Sequence, residues 1–590
     1  MASRYTRLSA WTAALVVLVA GCGANSRNSG STSEATTAPA TRTENTAPPA
    51  GSGHSGSSAS SAPADGPRAP EVKSGGTLYY LSRRADARFE TASAQMVATS
   101  SIHWLHRGLT SWVTYPDRDA DIVPDLTTDL GTTTDGGKTW TYHLKQGLKY
   151  SDGTEIVAED VKYGIERSFA PIFQGGLGYH KTLLVGGADY TGPYDGKSLD
   201  SIEVKDKYTI VFHLTRPFGN WPWIVSMPAF SPVPRRADTD PETYATHPVA
   251  SGPYMVAEFK QGSSVTLVRN PYWDKASDPA RNAGPDKIVM SLGLNNDTIV
   301  QRLIADSGND KYAISNATIS LSQLQRIQAD PSISSRMAVS PSGYLYYMAL
   351  NTKRLTDVKV RQAIQYAVNK QEIQSIYGGA KYGGAISNSL ITKGIPGYSD
   401  FNLYDGGPTG NPDKAKELLA AAGVSGLKLT LVYPTDIGDE EAKQAQSLKQ
   451  SLARAGITIE TKGMDSDSLN EVLDAGDYDL TINGWGADFP SGMSNLQPLF
   501  ASSEIGNGGG NYSKYANPEV DKAMEAAIAE PDLDKAATMW TQIDRQIMQD
   551  APMVPIITLF AGGLHGSGVS NYFIPGFPPF ANEMVVGVAG

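Results

Sequence analysis

The stretch from Asp135 to Phe169 constrains the fold more than any other, because its hydrophobic spacing changes from that of a strand to that of a helix. Apolar and polar residues alternate in its first part, where Trp140, Tyr142 and Leu144 predict a half-buried strand. A polar turn follows at residues 151–154. Beyond the turn, apolar residues recur at helical spacing: Ala158, Val161, Ile165 and Phe169. The stretch therefore predicts a strand, a turn and a helix in close succession.

In one-letter code the stretch contains W-x-Y-H-L-K-x-G-x-K-Y-S-D-G-x-x-x-x-A-E-D-V-K-Y, which resembles the signature of the bacterial family 5 solute-binding proteins. Those proteins feed peptides, nickel chelates and related solutes to ABC importers. One position departs from the pattern, since Val157 stands where the family commonly has a threonine that caps the helix. The missing cap should weaken the start of the helix by about 1 kcal/mol.

Further segments resemble the same family and occur in the family's order. They are the G-P-Y turn at residues 252–254, the strand end R-N-P-Y-W at 269–273, and the segment NTKRLTDVKVRQAIQYAVNKQEI at 351–373. The resemblance implies an α/β protein with the two-lobed periplasmic-binding-protein-like fold (type II, cluster C), with an extra inserted domain and a two-strand hinge.

The resemblance also implies the domain organisation of the globular chain. Lobe I is discontinuous and comprises residues 73–115, 225–340 and 556–590. Domain II, residues 116–224, is inserted in lobe I, and lobe III comprises residues 341–555. We expect the two-strand hinge to allow the lobes to close around a solute.

The N-terminus has the features of an export signal. Arg4 and Arg7 precede an apolar run, residues 11–20, that is too short to span a bilayer. The run ends in Val-Ala-Gly-Cys, which resembles a lipobox and implies that residues 1–21 are removed and Cys22 is lipidated. Cys22 is the chain's single cysteine, so it cannot form an internal disulfide. An ordinary signal peptide with a chance cysteine is the alternative.

A tract rich in Ser, Thr, Gly, Pro and Ala follows the cysteine, and we interpret residues 22–72 as a disordered tether between the lipid and the globular body. The formal charge of the full chain is −11, which argues against nucleic acid as a partner. These features predict an exported protein that is lipid-anchored to the outer face of the cytoplasmic membrane.

Two patterns suggest other chemistry but fail on spacing. Five residues separate Gly131 from Gly137 where a P-loop needs four, and a strand rather than a helix is predicted to follow. His103 and His106 are three residues apart, but no third metal ligand lies at a recognisable spacing. We therefore predict no cofactor and no metal.

The candidate binding site follows a predicted parallel β-α-β-α-β unit at residues 427–483. Its last strand leads into Gly484, Trp485, Gly486 and Asp488, at the carboxyl end of the sheet where α/β proteins bind ligands. The two glycines leave the backbone open to close approach, Trp485 can form a wall, and Asp488 can accept a cation.

The segment G-W-x-x-D resembles an element of the family's oligopeptide-binding members. The resemblance implies that Asp488 holds the ligand's α-ammonium and that the backbone beside Trp485 pairs with the peptide as an added strand. Tyr346, from a predicted second crossover, completes the predicted set. The chain departs from the pattern at residues 490–492, where many relatives have a second acid. The alternative is that Asp488 only caps its own loop.

Two classes of function remain after these observations. The first is a binding protein that delivers a solute, most simply a peptide, to the transmembrane subunits of an ABC permease and their ATPases; a nickel chelate, sugar or signalling ligand is the alternative solute. A sensor or peptide-chaperone role on the same fold also stays open. The second class is an exported carboxylate-dependent hydrolase, but the sequence has no H-E-x-x-H motif and no serine elbow in a suitable setting. We predict a monomeric binding protein rather than an enzyme.

Overall fold

The computed structural model describes residues 67–87, 89–94, 100–173, 175–506, 509–578 and 582–588. The predicted signal peptide, the lipidation site Cys22 and all but the last residues of the predicted tether lie outside the described residues. The described residues belong to one compact unit.

The strands, numbered along the chain, have the following bounds. They are β1 Thr77–Leu81, β2 Thr110–Val113, β3 Asp121–Pro124, β4 Thr139–His143, β5 Ile202–Asp206, β6 Thr209–His213, β7 Tyr254–Lys260, β8 Ser264–Arg269, β9 Lys287–Ser291, β10 Ala313–Ser315, β11 Met337–Leu350, β12 Gly384–Ile386, β13 Lys428–Pro434, β14 Thr458–Met464, β15 Leu480–Gly486, β16 Met553–Leu564, β17 Val569–Ser570 and β18 Gly587–Val588.

The α-helices are numbered in the same way. They are α1 Ala158–Arg167, α2 Tyr179–Leu183, α3 Trp221–Ile224, α4 Pro241–Tyr244, α5 Asn296–Ala305, α6 Leu321–Ala329, α7 Pro331–Ser334, α8 Val358–Ala367, α9 Lys370–Ile376, α10 Gly379–Tyr382, α11 Pro412–Ala421, α12 Glu440–Ala453, α13 Ser466–Ala475, α14 Gly492–Phe500, α15 Pro518–Ala529 and α16 Leu533–Asp550.

The strands form three main sheets. Sheet A has the order β10-β1-β9-β8-β7, sheet B has the order β12-β16-β11-β15-β13-β14, and sheet C has the order β4-β6-β5. In sheet B the strands β13, β14 and β15 are parallel to one another and are connected through α12 and α13. The predicted parallel β-α-β-α-β unit is therefore confirmed.

Residues 135–169 form β4 and α1, as predicted. Trp140 and Tyr142 are buried in β4, and the predicted apolar face of α1 is buried against them in one core. Val157 is the N-cap of α1 and makes no side-chain capping bond, but Asp160 accepts a hydrogen bond from its backbone N–H at 3.3 Å. The carboxylate thus partly replaces the cap that a threonine would supply.

Two long antiparallel strands, β11 and β16, connect sheet A to sheet B. Their outer ends, Met337 and Leu564, pack in the core beside sheet A, whereas Met348 and Val554 lie in the core of sheet B. Their pairing is irregular between Pro341 and Leu345. The boundaries predicted at residues 340/341 and 555/556 fall inside these two strands, because each strand contributes to both cores.

Candidate functional site

The carboxyl end of β15 has a backbone edge without a strand partner in the part of the chain that the structure describes. Leu480 and Thr481 pair with Leu431 and Val432 of β13, but the two strands separate beyond this point. From Ile482 onward β15 pairs with β11 alone. The split between β13 and β15 lies where parallel sheets bind ligands.

The polar groups of this edge belong to the two glycines. In the antiparallel ladder with β11, the backbone N–H and C=O groups of successive β15 residues point alternately toward β11 and away from it. The backbone N–H of Gly484 donates to the side-chain Oδ1 of Asn483 at 2.7 Å and so points away from β11. Gly486, two residues on, has the same orientation. The edge therefore presents the C=O groups of both glycines and the N–H of Gly486 to an added strand, whereas the N–H of Gly484 already donates to Asn483.

The structure adds a second reason for these glycines. The ring of Tyr344 lies over both, so that a Cβ on Gly484 would overlap the ring and one on Gly486 would stand 3.0 Å from it. The sequence interpretation assigned the glycines to ligand approach alone. The packing of Tyr344 requires them as well, whatever occupies the edge.

The predicted residues Trp485 and Tyr346 lie on opposite faces of sheet B. The indole Nε1 of Trp485 donates to the carbonyl oxygen of Ser494 at 2.7 Å, and its ring packs against the core that includes sheet C. Tyr346 pairs in register with Gly484, but its ring lies on the other face, 5.0 Å from that of Tyr377. The structure does not bring these two side chains together on one surface.

Asp488 follows the edge directly and connects two distant parts of the chain. Its Oδ2 accepts a hydrogen bond from the hydroxyl of Tyr179 at 2.7 Å. The ring of Tyr179 also meets Phe489 edge-on at 5.5 Å. Tyr179 begins α2, which is anchored by Leu183 and Leu184 in the core that includes sheet C. The loop after β15 is thereby joined to the domain around sheet C.

A different side chain caps the loop. The backbone N–H of Asp488 donates to Oγ of Ser494 at 2.6 Å, whereas the hydrogen bond found for the carboxylate is the one to Tyr179. This geometry disfavours the alternative in which Asp488 serves only its own loop, since Ser494 already performs that task.

The carboxylate of Asp488 lacks a cationic partner among the described residues. Burial raises its pKa above the ordinary value, and the hydrogen bond from Tyr179 opposes that rise in part. Burial and the nearby carboxylate likewise raise the pKa of Tyr179 well above its usual value. A cation placed here would stabilise the ionised form of Asp488.

Tyr179 and Ser494 were missed in the sequence. Tyr179 lies in a glycine-rich stretch without periodicity, more than 300 residues from its partner, as the separation of 309 shows. Ser494 follows the segment Pro-Ser-Gly at residues 490–492 and lies in the first turn of α14. Only the fold shows that both side chains reach Asp488.

The structure places both histidines of the pair in the protein interior. Burial lowers the pKa of His103 and of His106 to about 3, so both are neutral, and His103 packs edge-on against Trp112. Within the residues described, no group of three or more His, Cys, Asp or Glu side chains is placed to hold a metal ion.

Two of the cavities in the described part of the chain lie away from this edge. One, of about 530 Å³, lies beside His213 and Tyr190, and one, of about 140 Å³, lies beside Arg107 and Lys145. Neither is lined by Asp488.

None of the helices in the described ranges is both long and apolar enough to cross a membrane.

Comparisons with known proteins agree on one family. Residues 121–507 match the family described as "Bacterial extracellular solute-binding proteins, family 5 Middle". The oligopeptide-binding protein OppA of Bacillus subtilis is 24% identical over 460 residues, which cover 75% of this chain and 81% of OppA.

Solved structures show the same fold. The clavulanic acid biosynthesis oligopeptide binding protein 2 superimposes with a TM-score of 0.76 at 30% identity, covering 88% of this chain and 97% of that one. The periplasmic murein tripeptide binding protein MppA, in its unliganded open form, gives a TM-score of 0.74 at 20% identity and covers 89% and 99% of the two chains. The fold is thus the two-lobed type II binding-protein fold predicted from the sequence. The chain belongs to the bacterial extracellular solute-binding proteins of family 5.

Proposed function

We propose that the protein is the extracytoplasmic receptor of an ABC importer and that it captures peptides along the open edge of β15. One arrangement carries this proposal: the backbone edge at Gly484 and Gly486, which has β11 as its only strand partner in the described residues, leads directly to the carboxylate of Asp488, and no cation lies beside that carboxylate there. A peptide strand would supply donors and acceptors to the edge, and its α-ammonium would supply the missing charge.

The names of similar proteins support a peptide as the solute. OppA of Bacillus subtilis and the clavulanic acid biosynthesis protein are named for oligopeptides, and MppA is named for a murein tripeptide. The predicted site residues Gly484, Trp485, Gly486 and Asp488 belong to this proposal. Tyr346 remains in it as a residue of the opposite face.

The proposed capture involves closure of the two lobes about β11 and β16. Tyr179 lies in the proposed domain II, residues 116–224, and Asp488 lies in the proposed lobe III, residues 341–555. Their hydrogen bond is a contact that closure would preserve or remake around the ligand. The partners in the membrane would be the permease subunits and their ATPases, with the receptor acting as a monomer.

Members of this family are binding proteins rather than enzymes, and we extend the proposal to the absence of catalysis here. The test is incubation of the purified protein with a defined mixture of di- to pentapeptides, followed by native and denaturing mass spectrometry. A receptor retains peptides with unchanged masses and leaves the free pool intact. Appearance of cleavage products would identify the hydrolase instead. Failure to retain any peptide would point to a non-peptide solute.

The anchoring of the protein is a separate part of the proposal. Cys22 is proposed to carry the lipid, so a Cys22→Ala variant should move from the membrane fraction to the soluble or culture fraction. Fractionation and immunoblotting of both proteins measure this. A variant that stays on the membrane to the same extent as wild type would place the anchor elsewhere.

A further inference from the structure

A second polar cluster lies on the face of sheet B that carries Tyr346, at the start of α12. Glu440 and Glu441 are both buried there, with 6% and 5% of their surfaces exposed. A Cβ placed on Gly438 would stand 3.0 Å from Oε2 of Glu440 and 3.3 Å from Oε2 of Glu441. The two carboxylates therefore flank the same spot, which the glycine leaves free of a side chain.

Several oxygen atoms of this cluster lack a hydrogen-bond partner, although Lys443 Nζ lies 3.8 Å from Oε1 of Glu440. Three buried side chains on one side of α12 have an oxygen without a partner in the part of the chain described: Glu441 Oε2, Gln444 Oε1 and Ser447 Oγ. The first two atoms can only accept hydrogen bonds at neutral pH. An unpaired buried acceptor is costly, so the missing partner is a donor. Burial raises the pKa of Glu441, and the neighbouring Glu440 raises it further. A buried carboxylate without a cation beside it is expected to have a raised pKa.

Aromatic rings connect this cluster to the open edge of β15. The ring of Tyr344 lies over Gly484 and is 5.5 Å from that of Tyr346. The hydroxyl of Tyr346 is 3.5 Å from Oε1 of Glu441, and the hydroxyl of Tyr377 accepts a hydrogen bond from Nε2 of Gln444 at 2.5 Å. Three tyrosine rings thus form a continuous surface from the edge to the carboxylates.

An added strand on β15 would direct side chains toward this surface. Side chains of a strand alternate between the two faces, so every second residue of the peptide would face Tyr344 and Tyr346. Because α12 begins at the carboxyl end of β13, its first turn lies on that face beside the split between β13 and β15. A long apolar stem with a cationic end fits such a path, since the stem can lie on aromatic rings and the charge can reach a carboxylate.

We propose that Glu441, supported by Glu440, Gln444, Tyr346 and Tyr377, forms a subsite for a positively charged side chain of the bound peptide. This inference rests on the proposed function and names its substrate class: peptides with a lysine-like or arginine-like residue at one position. The subsite is distinct from Asp488, which would take the α-ammonium.

The test uses two pairs of tetrapeptides built on Ala-Ala-Ala-Ala, with lysine or its uncharged analogue norleucine at position 2 or at position 3. By titration calorimetry, the lysine peptide should bind at least about tenfold more tightly than the norleucine peptide at one of the two positions, as expected for a buried charge-assisted hydrogen bond. Glu441→Gln should reduce that ratio below about threefold.

Glu460→Gln is the matched control, because Glu460 lies on β14 of the same sheet with 70% of its side chain exposed. It should keep the wild-type preference. Equal affinity for lysine and norleucine at both positions in the wild type would overturn the subsite, even if the Glu441 variant failed to fold. A preference that persists in a folded Glu441→Gln protein would do the same.

A diamine separates failure of the subsite from failure of the proposed function. If none of the tetrapeptides binds, the proposed peptide-receptor function is wrong. The next probe is then cadaverine, which has the chemistry of a lysine side chain. Binding of cadaverine that disappears in Glu441→Gln would retain the cationic subsite for a non-peptide solute. Absence of cadaverine binding in that situation would overturn the subsite too.

Discussion

Replacing Asp488 by asparagine should weaken the binding of a peptide with a free N-terminus by roughly 30- to several-thousand-fold. The change keeps the shape of the side chain but removes the charge that the ligand's ammonium would meet. Breaking one such desolvated pair typically costs about 2–5 kcal/mol, and about 1.4 kcal/mol corresponds to a tenfold change in affinity. Titration calorimetry of wild type and variant with the same peptide measures the effect.

Two controls separate the charge from the contact with Tyr179. An N-acetylated peptide lacks the ammonium and should bind the wild type as poorly as the free peptide binds the variant. Tyr179→Phe removes the hydroxyl that donates a hydrogen bond to Asp488 but leaves the carboxylate. It should therefore reduce the affinity for the peptide far less than Asp488→Asn does. A loss below about threefold for Asp488→Asn, with acetylation tolerated, would mean that Asp488 serves only the contact with Tyr179.

The largest expected effect on stability lies in a buried ionic cluster next to sheet A. Asp125 accepts hydrogen bonds from Arg107 Nε at 2.7 Å and from Arg281 Nη1 at 2.9 Å, and Asp278 lies 3.2 Å from the second guanidinium. All four side chains are at most 2% exposed. Asp125→Asn leaves two buried guanidinium groups with one carboxylate, so we expect it to lower the free energy of unfolding by about 3–5 kcal/mol.

Denaturant-induced unfolding of wild type and variants measures this loss. The matched control is Asp286→Asn, because Asp286 pairs with Arg269 at 3.1 Å but has 64% of its side chain exposed. An exposed pair contributes about 0–1 kcal/mol, so the control should unfold almost as the wild type does. Equal effects of the two substitutions would show that burial does not decide the strength of the Asp125 cluster.

Much of the fold could be predicted from the sequence, because local periodicity determines it. The alternation around Trp140 and Tyr142 predicted β4, and the helical spacing from Ala158 predicted α1. Local periodicity also predicted the strands and helices between residues 427 and 483. The short connections between these elements allow few sheet topologies. The carboxyl end of β15 could therefore be identified as a candidate site from the sequence alone.

The rest of the site depends on contacts between remote residues. The length over which β13 accompanies β15 decides that the edge is open, and no local pattern encodes that length. Tyr179 reaches Asp488 only because sheet C brings α2 to the loop after β15. Tyr346 was predicted to belong to the site because it lies in a predicted second crossover, but the pleat of β11 places it on the face opposite Trp485. A shift of one residue in strand register moves each side chain to the other face of the sheet. A sequence with aromatic residues at successive positions does not specify that register.

A crystal structure of the protein with a bound tetrapeptide tests the central claim most directly. We expect the peptide backbone to pair with Gly484 and Gly486 at the open edge of β15. We also expect the peptide's ammonium to lie within hydrogen-bond distance of the Asp488 carboxylate, about 3 Å. A peptide bound away from this edge, or one whose ammonium contacts another part of the protein while β15 stays unpaired, would contradict that claim.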